Sequence, residues 1–182
     1  MPPKIKYSKE QIIESAIEIV RKNGIENLSA RNIANNLNSS PQPIFSYFKN
    51  MDELKNSVFE YAYNLYLRYN NEHIKSGKYP EYKSYGMAYI NFAKNEKNFF
   101  KLLFMSDKTE NKEIDISDVI KVIMKNLDMS EDKANLFHFE IWTFVHGIAS
   151  MHITNSLHLN EEEISGIITD VYEGLKVRFK EK

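Results

Sequence analysis

The sequence predicts an all-α protein of about nine helices, with an N-terminal three-helix head on a larger helical body. Two observations predict this fold class. Apolar residues recur at helical spacing along most of the chain, and no segment alternates apolar and polar residues as a half-buried β-strand does. Asn, Ser, Gly and Pro residues at plausible helix ends divide the periodic segments.

Three short helices are predicted in the first fifty residues. Ser8 begins a capping box, and an amphipathic helix follows as far as Gly24. Ser29 can cap a second helix by accepting from a backbone N–H one turn later. After a polar turn, we expect Ser40 to cap a third helix with Pro41 at its first position. Two helices joined in this way are typical of a helix-turn-helix motif, whose second helix lies in the DNA major groove.

The apolar pattern of the rest of the chain predicts six further helices. Their expected spans are 51–75, 80–94, a short segment from 95 to about 105, 116–127, 131–156, and a last helix that follows Asn160. Asn50, Ser130 and Asn160 are the expected capping residues. Residues 106–115 are polar and have no period, so we expect an exposed loop there. We divide the chain into a DNA-binding domain (1–50) and a ligand-binding and dimerisation domain (51–182).

Composition limits the possible functions. The chain has no cysteine, no apolar run long enough to span a bilayer and no signal-peptide core at its start, so we expect a cytoplasmic protein without membrane contact. Residues 1–50 hold seven Lys and Arg against four Asp and Glu. Of the 24 and 25 in the whole chain, the remainder therefore holds 17 against 21. This modest asymmetry favours DNA contact by the N-terminal head.

No catalytic or metal site is predicted. Phosphate-binding glycine loops, nucleophile elbows and His-Glu-x-x-His motifs are absent from the sequence. Four of the five histidines fall between residues 138 and 158, but their gaps of eight, six and six do not give the i, i+4 spacing of a helical zinc pair. Glu140 and His146 near Trp142 could form an acid–base pair. A polar cluster in a pocket or interface is the favoured interpretation, so we expect no enzyme and no cofactor.

Aromatic residues make up 13% of the chain, more than a small helical bundle needs for its core. Pockets between bundle helices are common ligand sites. The sequence leaves two interpretations open, a dense aromatic core or a pocket for a small apolar or aromatic ligand. The candidate pocket residues are Tyr61, Tyr85, Tyr89, Phe92, Phe100, Phe104, Phe137, Trp142 and His146.

The head also resembles a known family. The matching residues are Asn23-Gly24, Leu28-Ser29-Ala30-Arg31, Ile33-Ala34, Ser39-Ser40, Ile44-Phe45-Ser46-Tyr47-Phe48 and Asp52-Glu53-Leu54. In order and spacing they resemble the DNA-binding domain of TetR/AcrR-type bacterial transcriptional regulators. Trp142 with Val145-His146-Gly147 is also similar to the W…HG signature of one C-terminal subgroup. Two departures are notable: Phe45 replaces a tyrosine whose hydroxyl commonly meets a phosphate, and Met51 replaces a lysine, for which Lys49 or Lys55 could substitute.

The resemblance implies a homodimeric, ligand-responsive regulator, a repressor in most such proteins, that binds a pseudo-palindromic operator. Its implied DNA contacts are Arg31, Ser39, Ser40, Gln42, Pro43, Ser46 and Tyr47, to which residue chemistry adds Lys49. Gln42 can pair bidentately with adenine, and Pro43 can pack on a thymine methyl group. The implied dimer interface lies on the last two helices, at Ile148, His152, Ile164, Ile168, Val171 and Leu175.

In such a dimer, an effector bound among helices four to eight should move helix four and change the spacing of the two recognition helices. The effector can do so only by binding the non-operator spacing more tightly. The alternative is a helical interaction or ligand-binding protein that does not bind DNA.

Overall fold

The computed structural model describes residues 7–106 and 114–180. Within them the protein is all-helical, with nine α-helices, one 3₁₀ turn at Ile25–Asn27 and no strand, which confirms the predicted fold class. The helices are α1 (Lys9–Asn23), α2 (Ala30–Asn36), α3 (Gln42–Phe45), α4 (Met51–Ser76), α5 (Glu81–Asn95), α6 (Lys97–Phe104), α7 (Ser117–Leu127), α8 (Glu131–Ile153) and α9 (Glu161–Lys180). Most of the loop expected at 106–115 lies outside the described residues. No described helix combines the length and apolar character needed to cross a membrane.

Local hydrogen bonds explain where several helices begin. The Ser8 hydroxyl accepts from the Gln11 N–H while the Gln11 side chain accepts from the Ser8 N–H, which confirms the predicted capping box of α1. Ser29 caps α2 by accepting from the Asn32 N–H at 3.2 Å. Asn160 accepts two backbone N–H groups at the start of α9. These caps satisfy donors that have no partner within their own helix.

One predicted cap is wrong, and a second has the predicted position without the expected hydrogen bond. Ser40 does not cap α3: Pro41 occupies the N-cap position in a helical conformation, and its carbonyl accepts the first hydrogen bond, from the Ile44 N–H at 3.1 Å. The helix therefore begins at Gln42 and is only four residues long. Ser130 occupies the N-cap position of α8, but its side chain makes no capping hydrogen bond.

The chain forms two compact units. Unit 1 comprises Met1–Leu65 and Glu96–Ser106, and unit 2 comprises Tyr66–Asn95 and Asp107–Lys182. The single helix α4 contributes its first part to unit 1 and its last part to unit 2. The two units are defined by how the chain packs. The boundary predicted at residue 50 instead separates a DNA-binding domain from a ligand-binding and dimerisation domain. That boundary stays a prediction.

Each unit has its own apolar core. In unit 1 the fully buried side chains come from α1, α2, α3, α4 and α6 and from Phe48 between α3 and α4, and α1 packs against α2 and α6. In unit 2, α5 and α8 form the most extensive helix pair, and α7 and α9 pack beside them. Aromatic rings fill much of this second core, with Phe137 in edge-on contact with both Tyr172 and Phe179. Fixed cores of this kind hold the surface residues described below in defined positions.

Candidate nucleic-acid interface

A tight turn joins α2 to α3. Asn38 adopts the left-handed conformation with φ 48°, which asparagine tolerates better than most residues. The Ser39 N–H reaches back to the Ala34 carbonyl at 2.9 Å, the six-residue hydrogen bond of a Schellman motif. This bond ends α2 sharply, so that the chain can begin α3 at Gln42. The corner is therefore a helix-turn-helix built by local backbone chemistry.

The underside of this corner is anchored on the core of unit 1. Ile33, Ile44 and Phe48 are almost fully buried, and Ile44 is the one buried residue of α3. The Asn36 amide donates to the hydroxyl of buried Ser15 on α1 at 2.9 Å. Tyr7 donates its hydroxyl hydrogen to the Leu37 carbonyl. The anchoring leaves the other residues of α3 facing outward.

The predicted DNA contacts lie on this outward surface or at its edge. Exposed side chains belong to Arg31, Ser40, Gln42, Ser46 and Lys49, and partly buried ones to Ser39, Pro43 and Tyr47. All eight belong to unit 1. Gln42 and Ser46 are one turn apart, and the Ser46 hydroxyl donates to the Gln42 carbonyl at 3.4 Å. The structure thus brings the predicted contacts together on one short segment, while their role in DNA binding stays a prediction.

The charge of this segment suits a polyanion. Residues 27–51 contain no Asp or Glu, although the whole chain has 25, and their charged side chains are Arg31 and Lys49. The Lys55 ammonium lies 2.9 Å from an Asp52 carboxylate oxygen, whereas within the described residues Lys49 has no carboxylate at ion-pair distance. Of the two lysines that could replace the basic residue missing at Met51, Lys49 therefore has the freer charge.

The predicted pocket residues fall in both units. Tyr61, Phe100 and Phe104 belong to unit 1, and the other six belong to unit 2: Tyr85, Tyr89, Phe92, Phe137, Trp142 and His146. Phe92, Phe100 and Phe137 are fully buried core residues. A depression of about 180 Å³ in unit 1 is lined by Gly24, Ile25, Glu26, Asn98, Lys101, Leu102, Met105 and Ser106, none of which was predicted as a pocket residue.

A polar and aromatic cluster lies within unit 2. The Tyr89 hydroxyl lies 2.8 Å from Nδ1 of His146, whose ring packs on Trp142 with 5.1 Å between centroids. Burial lowers the pKa of His146, so its imidazole is neutral near pH 7. Glu140 instead pairs with Arg178 of α9. The two members of the conceivable acid–base pair thus have different partners.

The sequence reasoning missed three residues on one face of α4. Tyr66 contacts the rings of Tyr89 and Phe92 edge-on, and His73 lies 3.0 Å from the Asn91 amide nitrogen. Asn70, between them on this face, is only 7% exposed, and its carbonyl oxygen has no hydrogen-bond partner among the described residues. Their i, i+4, i+7 spacing is the signal that could have identified them.

The predicted dimer residues differ in exposure. Ile148, Ile164 and Ile168 are buried within the chain, and His152, Val171 and Leu175 are partly buried. The most exposed apolar side chains of α8 and α9 are others: Leu136, Phe139, Met151 and Val177. At Gly147, Gly166 and Gly174 nothing lies within 4 Å of where a Cβ would sit. The two helices thus keep apolar and small residues uncovered in the single chain.

The fold and the α2–turn–α3 corner define an all-α protein with a helix-turn-helix. No protein-family model and no curated protein matches the sequence. Among solved structures, the chain is similar to a candidate transcriptional regulator from Pseudomonas aeruginosa PAO1, with a TM-score of 0.68 and 13% sequence identity. The similarity covers 96% of this chain and 95% of that protein. At this identity it establishes a common fold.

Proposed function

We propose that this protein is a transcriptional regulator of the TetR/AcrR type that binds double-stranded DNA through α2, the turn and α3. The observation that carries the proposal is the α2–turn–α3 surface, on which Arg31, Gln42, Ser46 and Lys49 are exposed and to which residues 27–51 contribute no carboxylate. Side chains of this kind supply both base and phosphate contacts. The fold shared with the candidate regulator from Pseudomonas aeruginosa supports the same function.

In this proposal Gln42 reads a base, and Arg31, Ser40, Tyr47 and Lys49 set the register on the phosphates. An exposed amide on the first turn of a recognition helix can reach N6 and N7 of adenine in the major groove. Hydroxyl and cationic side chains at the edges of the same surface carry no sequence information but fix orientation. The regulator acts in the cytoplasm as a repressor.

The active form in this proposal is a homodimer on a pseudo-palindromic operator. The uncovered residues Phe139 and Met151 of α8 and Val177 of α9 support a partner on these helices, because apolar surface is stabilised by leaving water. The exposed helical glycines would allow two helices to approach closely. A twofold dimer uses the same surface on both chains. It would place the two α3 helices about one DNA turn (~34 Å) or somewhat more apart.

We further propose that a small apolar or aromatic effector controls DNA binding from unit 2. Tyr89 is hydrogen-bonded to His146, whose ring contacts Trp142, and together they offer aromatic surface and a polar group that can orient a ligand. The effector releases DNA only if it binds the form with the wrong α3 spacing more tightly than the form bound to the operator.

The DNA role is tested by the base profile of Gln42→Ala. Purified full chain is titrated into fluorescent duplexes that carry each base change of a selected operator. We expect the variant to lose about 1–3 kcal/mol of discrimination at one base pair and to keep the other preferences. Asn135→Ala, which alters an exposed amide of α8, is the matched control and should leave every preference intact.

Salt provides an independent readout. The logarithm of affinity should fall with the logarithm of salt concentration by about 0.9 per phosphate contact. Lys49→Ala should reduce that slope by about one unit. A flat salt response together with an unchanged base profile for Gln42→Ala would contradict the proposed function and favour a helical ligand-binding protein that does not use DNA.

A further inference from the structure

Phe45 is the one large apolar side chain exposed on the described part of the helix-turn-helix segment. Its relative exposure is 53%, whereas Ile44 and Phe48 on either side of it are 1% exposed. The side chains of Ile44 and Phe48 are thus buried in the core of unit 1, whereas about half of the Phe45 side chain is exposed. A single exposed apolar residue is ordinary on most surfaces. The exposure of Phe45 indicates a function because this residue lies within the proposed DNA-binding surface.

Phe45 lies next to Gln42, the residue proposed to read a base. It lies three residues after Gln42, on the same side of α3, and directly before exposed Ser46. No carboxylate occurs between residues 27 and 51, so nothing in this stretch of the chain repels a phosphate backbone brought against the ring. A Gln42 side chain that reaches a base edge would bring the Phe45 ring towards the same groove, because the two residues lie one turn apart on α3.

The chemistry of the ring selects what it can contact there. Phenylalanine has no hydrogen-bonding group, so it gains nothing from phosphate oxygens or from polar base edges. The apolar group that the major groove presents is the 5-methyl group of thymine, which apolar side chains contact in direct readout. Covering this methyl group removes apolar surface from water on both partners.

We propose that Phe45 is a specificity-determining residue whose ring packs against the 5-methyl group of a thymine next to the base read by Gln42. This inference rests on the proposed DNA-binding function. The contact with Phe45 makes the operator preference depend on a methyl group. The protein should therefore distinguish thymine from uracil, which pairs identically with adenine but lacks that group.

The experiment replaces each thymine of a selected half-site by deoxyuridine, one position at a time, and measures the affinity of the full chain at fixed salt. We expect one replacement to weaken binding by about fourfold, the effect of one buried methyl group. The same replacement should have no effect on Phe45→Ala and should keep its effect on Pro43→Ala, which alters the neighbouring apolar residue. Phe45→Tyr, which retains the ring, should keep the methyl dependence.

Two controls separate this role from others. Circular dichroism and thermal unfolding should show that Phe45→Ala remains folded, because the ring is largely outside the core. Phe45→Ala should leave the salt slope unchanged, whereas Lys49→Ala reduces it, since of these two side chains the lysine carries the charge that neutralises a phosphate.

The inference is overturned if the selected half-site contains no thymine, if the native chain binds every deoxyuridine duplex equally well, or if the deoxyuridine effect is the same in Phe45→Ala. In each of these cases sequence-specific DNA binding survives, so the proposed function stands while the role of Phe45 fails. A chain that selects no DNA sequence overturns both.

Discussion

Gly147, on the exposed side of α8, offers a sharp test of the proposed dimer. A glycine inside a helix is about 1 kcal/mol less favourable than alanine because it loses more conformational freedom on folding. In the single chain nothing lies within 4 Å of the position that its Cβ would take. Gly147→Ala should therefore fit an isolated chain without strain and raise its free energy of unfolding by about 1 kcal/mol.

The expected effect on self-association has the opposite sign. If α8 helices meet at this glycine, a methyl group there holds them apart, and overpacking a close contact costs about 1–3 kcal/mol. The dimer dissociation constant should then rise by about 5-fold to 150-fold. Gly77→Ala is the matched control, because the space around Gly77 is equally open but its φ is +63°. Alanine there should cost about 1–2 kcal/mol of stability and leave self-association unchanged.

Sedimentation equilibrium measures the dissociation constant, and urea unfolding of dilute protein measures the stability of the single chain. Weaker self-association together with higher single-chain stability would support a dimer through α8. A dimer contact at Gly147 is refuted if Gly147→Ala stabilises the protein and leaves self-association unchanged, since the glycine would then face solvent in the working protein.

Two further changes test the described structure. Burial lowers the pKa of His138, which is hydrogen-bonded to Tyr82, from 6.5 to about 4; the unfolded chain therefore binds this proton first as pH falls. The contribution of neutral His138 to the free energy of unfolding should be complete above pH 6.5. It should fall by up to about 3 kcal/mol as the pH is lowered from 6.5 to 4. Urea titrations of His138→Gln should lose most of this dependence, and a parallel pH profile would contradict the assignment. Ser29→Ala should cost about 1 kcal/mol in thermal unfolding, because the Asn32 N–H loses its cap; an unchanged midpoint would exclude that contribution.

Helix positions were predictable where the signal is local. Ser8 and Asn160 each precede a glutamine or glutamate three residues later, and both pairs make the expected reciprocal caps. The start of α3 was not predictable in the same way. Two prolines two residues apart allow more than one helix start, and only the structure shows that Pro41 is the N-cap.

Which face of a helix is covered could not be read from periodicity alone. On α9 the spacing of Ile164 and Ile168 is that of an apolar stripe, but only packing against the other helices of unit 2 shows that the chain itself buries both residues. The eight predicted DNA contacts lie between residues 31 and 49, on a segment whose turn is set by Asn38, and their role in DNA binding stays a prediction. The aromatic residues of unit 2 were predicted as a group, while the contact of Tyr89 and Phe92 with Tyr66 on α4 required the fold.

Selection from a random pool of duplex DNA by the purified full chain tests the central claim most directly. We expect enrichment of a pseudo-palindromic sequence whose half-sites lie about one helical turn or somewhat more apart. We also expect Gln42→Ala to broaden the preference at one symmetric pair of positions. Recovery of unenriched DNA at low salt, where phosphate contacts are strongest, would contradict the proposal that α2, the turn and α3 form a sequence-reading surface.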